Sequence, residues 1–184
     1  IARRQRQMCI RDRRNGVWPV LGNSQALMAR LQEFDGVLVS IGDCSVRWEK
    51  QQALLAVGAT LATVVHPAAT VSRYAVLGVG TVVMAGAVVN IDAVVGQAGI
   101  VNTGATVDHD CQLADGVHIC PGAHLSGNVH VGLCATIGVG AAVKQGLKIG
   151  PRALVGAGAV VIHAVADAAV VAGNPARPLP RPRA

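Results

Sequence analysis

The stretch Val101-Asn102-Thr103-Gly104-Ala105-Thr106-Val107-Asp108-His109-Asp110-Cys111-Gln112-Leu113 places an aliphatic residue at every sixth position. Extended both ways, the count lands without a skip on Val65, Val71, Leu77, Val83, Val89 and Val95 before it. After it come Ile119, Leu125, Val131, Ile137, Val143, Ile149, Val155 and Val161. Four places after each aliphatic comes a residue that is mostly small, such as Ala87, Ala105 and Ala123, the last of the series being Val165. Glycine recurs one place after the aliphatic, at Gly78, Gly96, Gly132, Gly138, Gly150 and Gly156. A period of six is neither helical nor the alternation of a hairpin strand; it marks a β-solenoid whose hexads each form one short strand and a corner. With three hexads per coil, the array predicts five to six coils stacked about 4.8 Å apart, roughly 25–28 Å in all.

Composition agrees with a narrow, repetitive interior: 52% of the 184 residues are hydrophobic, only 2% are aromatic, and 22 are glycine. The formal charge of +6 is uneven. Residues 1–14 hold six arginines against Asp12, and Arg177, Arg181 and Arg183 add more at the other end. Because that charge sits in tails, not on a face with aromatic platforms, a nucleic-acid partner is not expected. The five cysteines lack zinc-site or disulfide spacing, which points to a reducing cytoplasmic setting. No run of 18 apolar residues suggests a membrane span.

Four segments are expected. Residues 1–14 lack apolar periodicity and read as non-native or disordered. Residues 15–64 read as a truncated small α/β domain. In it, Asn23 or Ser24 caps a helix bearing Leu27, Leu31 and Phe34, stopped by Asp35-Gly36. Val37 to Ile41 reads as a buried strand, Gly42-Asp43 as a turn, Val46 to Val57 as a second helix and Leu61 to Val65 as another strand. Residues 65–166 form the solenoid and 167–184 a closing loop and tail. Residues 15–22 read as the point where a longer protein is entered midway.

From about Gly16 onward the chain resembles the hexapeptide-repeat acyltransferases, most closely the sugar O- and N-acetyltransferases of the NeuD/PglD type. The resemblance rests on Val101 to Cys111, on Asp115-Gly116-Val117-His118, Pro121-Gly122-Ala123 and Gly127-Asn128-Val129, and on Ala172-Gly173-Asn174-Pro175-Ala176-Arg177. It implies a left-handed β-helix, a homotrimer with its active site between adjacent chains, and acetyl transfer from acetyl-CoA to a nucleotide-linked amino sugar or sialic-acid-like acceptor.

His109 is readable as a general base, because imidazole titrates close to working pH and acetyl transfer must remove a proton from the attacking group. Either Asp108 or Asp110 could orient it, and the resemblance selects Asp110; the plain reading is a corner histidine between solvated aspartates. With three hexads to a coil, Gly127 stacks directly over His109. The resemblance makes its amide an oxyanion donor, although a corner can need glycine for its backbone angles alone. The resemblance also assigns His118, Ile137, Gly138, Gly156, Ala157, Gly173, Asn174, Pro175 and Arg177 to acetyl-CoA. To the acceptor it assigns Asn102 and a loop around Gly42, where Asp43 and Arg47 could assist; Asp43 could equally cap its helix. His118, His124 and His130 share the sixth place of successive hexads and so face three directions, which argues against a shared metal and a zinc carbonic-anhydrase reading. A non-catalytic solenoid scaffold is the other alternative.

Overall fold

A computed structural model of the chain describes residues 14, 15 and 17–179. Residues 1–13, most of the segment expected to be non-native or disordered, lie outside the described residues, as do residues 16 and 180–184.

Each hexad aliphatic from Val65 to Val161 is the second residue of a two-residue strand, as in Thr106–Val107, Gln112–Leu113 and His118–Ile119. Successive strand residues point to opposite faces, so the first turns outward and the second inward. Val107, Ile119 and Ile137 are accordingly fully buried. As far as Ala142–Val143, each strand of this run pairs in parallel with the one three hexads on, Thr106 opposite His124 and Val107 opposite Leu125. Three stacked sheets of eight, six and five strands result, each one face of a triangular prism. One continuous column of Val, Ile, Leu and Ala fills it.

The corners follow from two requirements. The fourth-place residue points into the prism where the chain bends, and Ala87, Ala105, Ala123 and Ala135 are fully buried there. The residue before it takes a positive φ, supplied by Gly104 and Gly122 at some corners and by Asp92, Asp110 and Asn128 at others. Glycine adopts that conformation freely, and Asp and Asn tolerate it better than most residues.

The last coil is shorter than the count of six predicts. Val165, read as the fourth-place residue after Val161, is instead an inward-facing position bridging Ile149, two places short of a full coil. Val171 likewise sits opposite Val155. The strict count would put Asp167 inside, and the shortened coil places Val165 there instead. Val170–Ala172 then pairs antiparallel with Arg177–Leu179, which covers the edge of the eight-stranded face.

Before the solenoid, α1 (Ser24–Met28) is capped by Asn23, whose Oδ1 accepts from the Ala26 amide at 3.0 Å. It ends earlier than Asp35-Gly36, and a 3-10 turn over Leu31–Glu33 continues the path. The expected strand from Val37 to Ile41 reduces to one parallel bridge between Val37 and Leu61, because no other strand of the described residues lies beside it. Val64–Val65 opens the eight-stranded face instead of joining an α/β sheet. α2 (Cys44–Ala56) is held against the corner between the five- and eight-stranded faces by side chains bonded to solenoid carbonyls: Arg47 to Ala98 and Gly116, each at 2.7 Å, and Gln51 to Val79 at 2.9 Å.

Candidate active site

The corner between the six- and five-stranded faces carries His109. Asp110, in its positive-φ turn, brings its carboxylate Oδ2 to 2.7 Å from His109 Nδ1. A carboxylate only accepts, so Nδ1–H donates and Nε2 is left with its lone pair available for a proton. The hydrogen bond to Asp110 raises the His109 pKa, with a further contribution from the charges of Asp108 and Asp110 that outlasts some desolvation. Asp108 holds the turn from the other side, its Oδ1 accepting from the His109 amide and from Asn90 Nδ2, both at 2.8 Å. Those bonds keep its carboxyl below the usual range, the His109 amide contributing most.

Gly127 lies directly over the ring. A Cβ there would stand 2.5 Å from His109 Cε1 and 2.6 Å from Nε2, so only glycine leaves the imidazole its place. The chain on either side is fixed to the neighbouring coils, Ser126 N–H donating to Val143 O and Asn128 N–H to His109 O. The Gly127 amide has no acceptor among the described residues. At the same place of other hexads, Gln97 and Thr103 satisfy their amides with side-chain oxygens of Asp115 and Asn102. The bare amide is therefore a property of the repeat that Gly127 leaves uncovered above an imidazole.

A second group lines the corner between the eight- and six-stranded faces. Asn102, Cys120, Gly138 and Gly156 follow one another up it, their amides donating in turn to Ile119, Ile137, Val155 and Val171. A Cβ on Gly138 would meet Val155 O at 2.5 Å and Ala157 N at 2.7 Å. The next coil therefore covers Gly138, which is buried like Ile137, while Ala157 is exposed at the corner. The loop from Gly173 to Arg177 closes the same corner, where Val160 N–H donates to Gly173 O and Ala176 N–H to Val160 O. Arg177 is exposed.

No protein-family model and no curated protein matches the chain. Solved structures do. The acetyltransferase domain of PglB from Neisseria gonorrhoeae, in complex with acetyl coenzyme A, is 42% identical over 90% of this chain and 81% of its own, with a TM-score of 0.85. PerB from Caulobacter crescentus, in complex with CoA and GDP-perosamine, is 39% identical over 92% and 83%, with a TM-score of 0.89. WeeI from Acinetobacter baumannii is 30% identical over 90% and 80%, with a TM-score of 0.75. The chain belongs to the hexapeptide-repeat sugar acetyltransferases.

Within this acetyltransferase the residues expected to act together fall into separate places. His109, Asp110 and Gly127 meet at one corner, whereas Asn102 and the positions expected to hold acetyl-CoA share another, across the six-stranded face. His118, expected on the acetyl-CoA side, stands beside Asn102 on that same side of the prism: its Nε2 is 3.0 Å from Asn102 Nδ2, and its ring meets the Gly42 backbone. Arg47, expected to assist the acceptor, is 1% exposed, and all its bonded nitrogens donate to backbone carbonyls. It has turned inward because α2 docks through it. Asp43 caps α2, its Oδ1 accepting from the Val46 amide at 2.9 Å. Gly42 has open space on its side-chain face.

His118, His124 and His130 lie on the eight-, six- and five-stranded faces respectively, as their hexad places require. A groove of about 690 Å³ runs along the five-stranded face past His130, Lys148 and Asp167 and contains none of the expected site residues. Two residues escaped sequence reasoning. Asn90 lies one full coil before Asp108 and Cys120 one full coil after Asn102, and that spacing could have found both.

Proposed function

We propose that the chain transfers the acetyl group of acetyl-CoA to the amino group of a nucleotide-linked amino sugar, with His109 as general base. The observation that carries this reading is His109 Nε2, unpartnered beneath the bare Gly127 amide while Asp110 holds the opposite nitrogen. As the amine nitrogen bonds to the thioester carbon, Nε2 takes its proton and Asp110 stabilises the imidazolium. The Gly127 N–H donates to the oxygen that gains charge. When the carbon–sulfur bond breaks, the imidazolium returns the proton to the CoA sulfur.

Two features favour an amine over a hydroxyl acceptor. The carboxylates of Asp108 and Asp110 flank the imidazole and attract an ammonium, which a hydroxyl cannot exploit. PerB, which is similar over most of this chain, was solved with GDP-perosamine and CoA.

The separation of the two corners supports a site completed between copies. The six-stranded face between them turns Thr70, Val88, Thr106, His124, Ala142 and Val160 outward, with no Lys, Arg, Asp or Glu. Packing this face around a threefold axis, as in a homotrimer of left-handed solenoids, sets the His109 corner of one chain against the Gly138 corner of the next. Ala157, Gly156 and the loop Gly173-Asn174-Pro175-Ala176-Arg177 then hold acetyl-CoA over the buried Ile137 and Gly138, and Gly42 and Asn102 face the acceptor. Among the described residues no helix is long and apolar enough to cross a membrane; we place the enzyme in the cytoplasm, where acetyl-CoA is made.

The test is release of CoA thiol from acetyl-CoA across a panel of nucleotide-linked amino sugars, free amino sugars and sialic acid. Release is expected with a nucleotide-linked amino sugar and to fall by about 10²–10⁴ in His109→Ala. No release with any such sugar, or wild-type turnover in the mutant, refutes the proposal.

A further inference from the structure

Arg47 is an unusual residue to bury. It is 1% exposed, and among the described residues no carboxylate pairs with it. Its charge is met only by carbonyl dipoles: Nε donates to Ala98 O at 2.7 Å, Nη1 to Ile41 O at 2.7 Å and Gly42 O at 3.0 Å, and Nη2 to Gly116 O at 2.7 Å and Val117 O at 3.3 Å. A buried unpaired cation is expensive and adds little that well-packed apolar groups could not. The fork does something apolar groups cannot, joining the Gly42 turn to two successive coils of the solenoid in one rigid unit.

Beside that turn runs a chain of hydrogen bonds whose direction is fixed. The Thr103 amide donates to Asn102 Oδ1 at 2.8 Å, which settles which end of the carboxamide is oxygen. Asn102 Nδ2 must then be the group 3.0 Å from His118 Nε2, and an NH2 only donates. Nε2 therefore carries no proton, and the ring proton is on Nδ1. Protonating His118 would set two donors against each other and release Asn102. Burial, and after it the Arg47 charge, lowers the His118 pKa, and Gly42 opposes this more weakly. The charge that acts on the ring is that of Arg47, from α2; the strand neighbours Ile100 and Thr136 carry no charge.

We propose that Arg47 is a positioning residue of the acceptor site: by clamping the Gly42 turn beside His118 it holds His118 Nε2 as an acceptor for Asn102, which aims the second Asn102 N–H at the substrate. The proposal rests on the acetyl-transfer reading only for what Asn102 contacts. Arg47 touches no substrate and acts through two intermediaries, so a missing positive charge would be felt at Asn102.

Long-range proton–nitrogen spectra of the imidazoles in the full chain test this without substrate, His118 being assigned by its loss in His118→Gln. The wild type should show His118 neutral with its proton on Nδ1; a proton on Nε2 overturns the proposal. In Asn102→Asp a carboxylate replaces the donor, and the His118 titration midpoint should rise by about one pH unit or more; an unmoved midpoint overturns it. Arg47→Met should move the midpoint upward and raise KM for the acceptor by about tenfold while kcat changes far less. Arg47→Lys, which keeps the charge, should hold the midpoint close to wild type and covers the case in which the methionine variant does not fold. A midpoint equal in all three proteins refutes the role of Arg47. Correct spectra with no turnover on any nucleotide-linked amino sugar would instead count against the function proposed above.

Discussion

Substituting Gly127 by alanine adds one methyl group to the protein at the point where the structure has least room beside its chemistry. The new Cβ would stand 2.5 Å from His109 Cε1, 2.6 Å from Nε2 and 3.1 Å from Nδ1. Carbon contacts are comfortable at about 3.5 Å, so the ring must retreat by roughly 1 Å. It is free to do so, because the His109 side chain is 56% exposed and Gly127 is not among the positive-φ glycines. The fold should therefore tolerate the change, with a melting temperature within about 4 °C of wild type. Catalysis should not, since a misplacement of about 1 Å in a reacting group costs on the order of 100-fold. Thiol release measured on Gly127→Ala, with circular dichroism and a melting curve on the same sample, separates the two effects. Wild-type kcat/KM in a folded mutant would mean that this corner is not where acetyl transfer occurs.

Two further outcomes follow from other contacts. His109 works as a base only when neutral, and Asp110 raises its pKa above the ordinary 6.5, so activity falls as pH drops through that raised value. In Asp110→Asn the fall should move to lower pH, with kcat reduced by about tenfold or more because the imidazolium loses its partner; a pH–rate profile with an unshifted acid limb contradicts the pairing. Ala142→Lys puts a charge on the six-stranded face between His124 and Val160. Light scattering should show the proposed trimer reduced to monomers, with turnover lost and the circular dichroism spectrum retained, whereas an active monomer would contradict a shared site.

The solenoid was legible because its physics is local and repeats. Each inward residue from Val65 to Val161 needs only to be aliphatic, each corner only small, and the register that puts Gly127 over His109 follows from counting three hexads. The count failed at Val165, where nothing in the hexad marks a coil that closes two places early. Residues 17–63 were read less well, since Val37 to Ile41 has strand-like composition but, among the described residues, only the single Val37–Leu61 bridge instead of a ladder. Arg47 shows the deeper limit. A charged residue on a helix reads as solvent-facing or ligand-facing, and only the docking of α2 on the carbonyls of Ala98 and Gly116 turns it inward. The surroundings of His118 were hidden for the same reason: its neighbour Gly42 comes from the turn before α2, far back in the chain, by a contact no local pattern encodes.

The register described for Thr106 and His124 makes position along this chain an angular coordinate: one hexad forward is a third of a revolution. A duplication or loss of one whole turn of the screw at either end would lengthen or shorten the prism and leave every azimuth unchanged. A single hexad gained between Gly127 and Gly138 would keep each strand paired and each aliphatic inside, yet rotate one functional edge relative to the other by a third of the circle. Such an enzyme would fold and assemble its walls facing the wrong way, so divergence in this architecture is free in whole turns and barred in single hexads.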